Sequence, residues 1–128
     1  MSQSNITLRF LAEPSTVNFG GKVHGGTVMK WIDEAGYVCA SAWSGSYCVT
    51  ASVGHIDFIR PIAIGDLVEV EASILSTGRS SMKIKVEVRS AHPTEGSYTK
   101  TTACEIVFVA LNEMREPTPV KKFVAAQF

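Results

Sequence analysis

From about Thr27 to Ala42 the chain spells a helix that is apolar around most of its circumference. At about 100° per residue, Val28, Ile32, Ala35, Cys39 and Trp43 form one stripe. Met29, Trp31, Gly36, Val38 and Ala40 broaden it, and Lys30, Asp33, Glu34, Tyr37 and Ser41 share a narrow polar arc. A helix of this kind is stable only where the rest of the domain covers it, so the pattern predicts a long central helix that is largely enclosed.

The remaining segments are strands. "ITLRFLA" (Ile6–Ala12) reads as a first strand, followed by Pro14 and the pairs Gly20-Gly21 and Gly25-Gly26, which mark a long loop. "CVTASVGHIDFI" (Cys48–Ile59) is rich in β-branched and aromatic residues, with Gly54 at an expected bulge. "LVEVEASIL" (Leu67–Leu75) and "SMKIKVEVR" (Ser81–Arg89) alternate apolar and charged side chains, with "STGR" (Ser76–Arg79) as the turn between them. "TTACEIVFVAL" (Thr101–Leu111) is apolar on both faces except at Glu105, which predicts a central strand or one covered by another subunit. The fold class is therefore α+β: an antiparallel sheet of about five strands wrapped around one long helix. The 128 residues make a single domain, and the tail after about residue 112, "NEMREPTPVKKF", is expected to fray. The β–α–β link leaves one sheet edge open, which predicts an obligate homodimer built by edge pairing.

Composition removes several classes of function. Twelve basic and twelve acidic residues leave no basic field for nucleic acid or a membrane surface. No run approaches the roughly 20 apolar residues of a membrane span. "MSQSNITLRF" lacks the basic and apolar regions of a secretory signal, so a cytoplasmic protein is expected. Cys39, Cys48 and Cys104 are dispersed, with no C-x-x-C spacing, and read as buried thiols in a reducing compartment. No His/Cys/Asp trio has metal spacing and no Gly-x-Ser-x-Gly elbow occurs, so neither metal-dependent hydrolysis nor serine-triad chemistry is expected; no cofactor is expected either.

Asp33 stands at the border between the polar arc and the apolar stripe, where a carboxylate must be paired or used. Glu34 reads as an ordinary surface pair with Lys30, one turn away. Gly25 and Gly26 stand where the helix begins, so amides without intrahelical partners can polarise a carbonyl or hold an oxyanion. Asp33 lies about two turns further on, on the order of 10 Å along the axis. A reactive group would have to come in over the helix side to meet both, or a partner subunit would supply one of them. Asn18 and His24 flank the loop; His55 and His92 carry no such signal. "GRSSMKIK" puts Arg79, Ser80 and Ser81 in a turn before Lys83 and Lys85, a mouth suited to a phosphate-bearing ligand, and Arg60 before Pro61 is a weaker candidate of the same kind.

"NFGGKVHGGTVMKWIDEAG" resembles the N-x-x-G-x-(V/I)-(H/F)-G-G-x6-D signature of hotdog-fold acyl-CoA thioesterases, and is most similar to the branch of cytosolic acyl-CoA hydrolases and YciA-type enzymes. "TASVGHIDFIRPIAIGD" and "GRSSMKIKVEV" resemble that branch's next two blocks in the same order, and the similarity runs from about Leu8 to Leu111. The resemblance implies a hotdog fold, acyl-CoA as substrate with CoA as a product, and a double-hotdog dimer often arranged as a trimer of dimers. It implies Asp33 as the catalytic carboxylate, acting as general base or nucleophile, and Asn18 as a contribution from the neighbouring subunit. Gly25 and Gly26 fall where the family polarises the thioester carbonyl, and Thr50 where a threonine lies near the attacking water. Arg79, Ser80 and Ser81 match the block at the CoA nucleotide, with His24 and Arg60 as further contacts; His24 replaces a phenylalanine of some members and so is dispensable to the pattern. Two alternatives stay open: a non-catalytic acyl-CoA-binding hotdog domain, and a hydroxyacyl thioester dehydratase, whose Gly and Pro after the histidine are not matched by Gly25-Gly26.

Overall fold

The computed structural model describes residues 4–16 and 18–125. Strand β1 (Asn5–Leu11) leads through a short 3-10 turn (Pro14–Thr16) and the glycine loop to helix α1 (Gly25–Ser44), and β2 (Tyr47–Phe58), β3 (Leu67–Thr77), β4 (Ser81–Ala91) and β5 (Thr99–Leu111) follow. The sheet order is β1-β3-β4-β5-β2 and every pairing is antiparallel. This is the α+β hotdog architecture expected above, with β5 inside the sheet and β1 and β2 at its edges. The helix gains two residues at each end of the expected span, Gly25 and Gly26 at its start and Trp43 and Ser44 at its end. It ends at Gly45, which adopts φ 68°, open to glycine at little cost, and donates its N–H to the Ser41 carbonyl at 2.8 Å.

Period-two alternation in the strands turns Val68, Val70, Ala72 and Ile74 of β3, Ile84 and Val86 of β4, and Ile106 and Phe108 of β5 toward the helix. They meet Val28, Ile32, Ala35, Cys39 and Ala40, all buried. Helix and sheet approach so closely at Gly36 that a Cβ there would lie 2.6 Å from Phe108 Cε2. The three cysteines are free and buried, and burial pushes the Cys39 thiol up to about 11. The bulge expected near Gly54 is present, as register shifts between Thr50 and Ser52 and between Val53 and Ile56.

Three expectations are corrected. The helix is not enclosed within one chain: Asp33, Glu34, Tyr37 and Val38 are exposed, and Trp31 is half-buried, edge-on to Phe10 of β1 with ring centres 4.8 Å apart. One sheet covers one side of a cylinder, and periodicity counts apolar positions without saying what covers them. The tail does not fray over its described part. Thr118 N–H donates to the Ala110 carbonyl and Val120 N–H to the Arg79 carbonyl. Phe123 packs on Trp43 with ring centres 5.6 Å apart, and the Trp43 indole N–H donates to the Lys121 carbonyl at 3.0 Å. Two apolar rings at distant sequence positions outweigh the polar composition between them. Finally, among the described residues no ion pair joins Lys30 to Glu34.

The outer face of the sheet carries a network that ties down the β1 edge. Arg89 of β4 reaches Glu69 at 2.9 Å, Glu71 at 2.7 Å and Glu87 at 2.8 Å. Arg9 of β1 takes the second oxygen of Glu69 at 2.8 Å, and the Asn5 side-chain amide donates to Glu71 and Ser73. Burial works against ionising Glu69, yet hydrogen bonds from Arg89 and Arg9 outweigh it and hold its carboxyl below the usual range. The Asn5 and Arg89 hydrogen bonds do the same for Glu71, and the Lys85 ammonium leads the causes at Glu87.

Candidate active site

Asp33 leaves α1 at the border facing β2. Its Oδ1 accepts a hydrogen bond from the Thr50 hydroxyl at 2.6 Å, which holds the carboxylate in one orientation. Among the described residues nothing bonds to Oδ2, so one oxygen is positioned and the other is available to a water. The sequence reading had this carboxylate at the border of the polar arc, in apolar surroundings. It is instead exposed, at the mouth of a cleft of about 390 Å³ lined by Tyr37, Val38, Tyr47, Val49, Thr50 and Phe108. Tyr37 and Tyr47 stand edge to face, 6.2 Å between ring centres, over one wall. A carboxylate held beside apolar walls at the open side of a domain can act as a general base once something closes the cleft to bulk water.

The helix start forms a second cleft, of about 240 Å³, where Gly25 and Val28 face Phe58, Ile59 and Arg60. His24 is the N-cap residue by position but makes no side-chain cap bond; its carbonyl receives Thr27 and Val28 N–H. No backbone acceptor among the described residues meets the amides of Gly25 and Gly26. These donors point outward at the positive end of a 20-residue helix, an arrangement suited to a polarised carbonyl or an anion.

Asn18 is spent partly on its own loop. Its Oδ1 accepts from the amides of Gly20 at 2.8 Å and Lys22 at 3.2 Å, so the side-chain orientation is set by two donors. Its Nδ2 donates to no acceptor among the described residues. A bridge from Lys22 to Ala63, and Val23 N–H on the Ile62 carbonyl at 2.8 Å, lock this loop to the chain beside the helix start.

Within one chain, therefore, Asp33 and Thr50 come together, and Gly25 and Arg60 come together. Asn18 makes no hydrogen bond with Asp33. Gly26 and Asp33 are seven residues apart on the same helical face, about 10 Å along the axis, too far for one thioester group to touch both. Arg79 and Ser80 sit in the β3–β4 turn while Ser81, expected there, opens β4; the Ser80 carbonyl accepts Ala110 N–H and the Arg79 carbonyl accepts Val120 N–H. No hydrogen bond ties the Arg79 side chain among the described residues, and the tail that holds this turn was not foreseen. The sequence reading also missed the tyrosine at position 47 and Val49 as cleft walls. The apolar alternation of β2 was the available signal, but the bulges hide which side each residue faces. Among the described residues no helix is long and apolar enough to cross a membrane, and no three His, Cys, Asp or Glu side chains group as metal ligands.

Comparison with known proteins agrees with this fold. Residues 20–97 match the model of the thioesterase superfamily. The acyl-CoA thioester hydrolase YciA of Salmonella typhimurium is 31% identical over 121 residues, covering 92% of this chain and 91% of that protein. A crystal structure of an apo-hexameric acyl-CoA thioesterase superposes with a TM-score of 0.93 at 33% identity, over 97% of this chain and 80% of the other. An acyl-CoA hydrolase of Staphylococcus aureus, solved with butyryl coenzyme A and coenzyme A, gives 0.89 at 29% identity, over 93% and 73%.

Proposed function

This chain belongs to the thioesterase superfamily, and we propose that it hydrolyses acyl-CoA to a free carboxylic acid and CoA, with Asp33 as general base. The carrying observation is the Thr50-oriented carboxylate beside a cleft walled by Tyr37, Val38, Tyr47, Val49 and Phe108, with Glu34 at the same cleft and the second Asp33 oxygen available. Asp33 takes a proton from water as the oxygen attacks the thioester carbon. The tetrahedral oxyanion forms, the carbon–sulfur bond breaks, and the proton passes from the carboxylic acid to the departing thiolate. Nothing beyond water and side chains enters this reaction, so no metal or cofactor is required.

The oxyanion needs donors, and those of the same helix are about 10 Å away. Two copies meeting along the β2 edge resolve this: Gly25 and Gly26 amides and the Asn18 Nδ2 of one copy serve the thioester held at Asp33 of the other. The exposed β2 edge and the open arc of α1 support such a pair, as does the hexameric state of the structural neighbour. A trimer of dimers is the assembly this suggests. Arg79, Ser80 and Ser81, with Arg60 and His24, are then left for the nucleotide phosphates of CoA. A cytoplasmic setting, where acyl-CoA is present, follows from this substrate.

Replacing Asp33 with Asn keeps the Thr50 hydrogen bond but removes the base. Turnover should fall by on the order of 10² to 10⁴, the usual worth of general-base assistance, with CoA affinity and folding unchanged. Hydrolysis at the native rate by Asp33→Asn would exclude this role.

A further inference from the structure

We propose that Phe19 of one copy of this chain enters the Asp33 cleft of a second copy and forms the wall that sets acyl-length preference. The inference rests on the two-copy site argued above. Phe19 is fully exposed, the most exposed of the large apolar side chains of the described residues. It does not sit on a loose tip. Asn18 Oδ1 grips the amides on its far side, at Gly20 and Lys22, the Gly21 N–H returns to the Asn18 carbonyl at 3.1 Å, and Lys22 bridges to Ala63. The closed turn fixes the backbone beneath the ring in advance, so docking has only the ring itself left to order.

The same anchoring fixes where the ring goes. The loop runs directly into the helix start and is pinned beside it to the β2–β3 connection, through Val23 on Ile62 and Lys22 on Ala63. A second copy that brings its Gly25 and Gly26 amides to the thioester at Asp33 therefore carries Phe19 with them. The surface it meets is a cleft of about 390 Å³ walled by Tyr37, Val38, Tyr47 and Val49. Two of those walls are tyrosine rings already set edge to face, an arrangement a third ring extends. The position carries no reacting group, so Phe19 acts on specificity by filling space.

The test is the ratio of kcat/KM for palmitoyl-CoA to that for butyryl-CoA, measured with Phe19→Ala, Phe19→Leu and Phe19→Trp beside the native protein, with molecular mass followed by light scattering. Removing the ring lengthens the acyl space, so Phe19→Ala should raise the ratio about tenfold or more, within the range a few methylenes command in an apolar pocket. Phe19→Trp should lower it and Phe19→Leu should stay close to native, all at unchanged mass. An unchanged ratio in Phe19→Ala, while Asp33→Asn stays inactive, overturns the inference and leaves the hydrolase reading intact. An equal fall on both substrates with loss of mass also overturns it, since Phe19 would then only hold subunits together. Native activity in Asp33→Asn overturns the inference together with the reading beneath it.

Discussion

Strand β1 closes the sheet on one side with seven residues whose outward side chains Asn5 and Arg9 are tied to Glu71, Ser73 and Glu69. Strand β2 closes it on the other side with twelve residues, two register shifts, and Tyr47, Val53 and Phe58 left exposed. A short, charged, bonded edge discourages a further strand, whereas a long and mostly uncharged one invites it. The Asp33–Thr50 pair lies on the β2 side. What distinguishes the two edges is thus where the chemistry sits: the edge that stays available is the one beside the base.

Matched lysines test this contrast most severely. Val53→Lys on β2 should yield a monomer by light scattering and lower acyl-CoA hydrolysis by about a hundredfold or more, the cost of losing oxyanion donors. Leu11→Lys, at the exposed end of β1, should change neither mass nor rate. Equal effects at the two edges would break the comparison.

Arg89→Met sharpens it from the other side. Removing the guanidinium takes one cationic partner from each of three carboxylates, of which Glu69 is only 9% exposed and keeps Arg9. The loss should be on the order of 2 kcal/mol in thermal or urea unfolding, with kcat and KM unchanged because this face is remote from Asp33. The same network gives a pH dependence of known sign. Glu69, Glu71 and Glu87 have carboxyls held below their ordinary values, so their stabilisation is complete above the unfolded value near 4.3. It is lost as pH falls through the lower folded values. Melting temperature should drop more steeply below about pH 4 in the native protein than in Arg89→Met.

The smallest effect belongs to the tail. Phe123→Ala removes an edge-to-face partner of Trp43 and should cost on the order of 1 kcal/mol in thermal unfolding, leaving the mass unchanged.

Much of this was legible in the chain because it is periodic or local. The 3.6-residue spacing from Val28 to Trp43 marks the helix, and alternation from Leu67 and from Ser81 marks two strands to within two residues at either end. Asp33, Gly25 and Gly26 stand out because each residue type has a particular use at its place, whereas Asn18 was singled out by the family resemblance alone. What escaped depends on partners far away in sequence. Nothing in "VEVEASIL" says that Glu69 shares Arg89 with Glu71 and Glu87, because that requires the β3–β4 register. Trp43 gives no hint of Phe123. Val38 was counted with the apolar stripe yet lies on the open arc beside Tyr37, since a helix residue is written the same way whether its own chain or another covers it.

The claim on which the rest turns is that each site draws Asp33 from one copy and Asn18 from another. Co-expressing equal amounts of Asp33→Asn and Asn18→Asp, the latter keeping acceptors for Gly20 and Lys22, measures it directly. Each variant alone should be nearly inactive. In randomly mixed assemblies, about one quarter of the sites receive native Asp33 and native Asn18 together, so about one quarter of native acyl-CoA hydrolysis should return. Activity no higher than the average of the two parents would contradict a shared site.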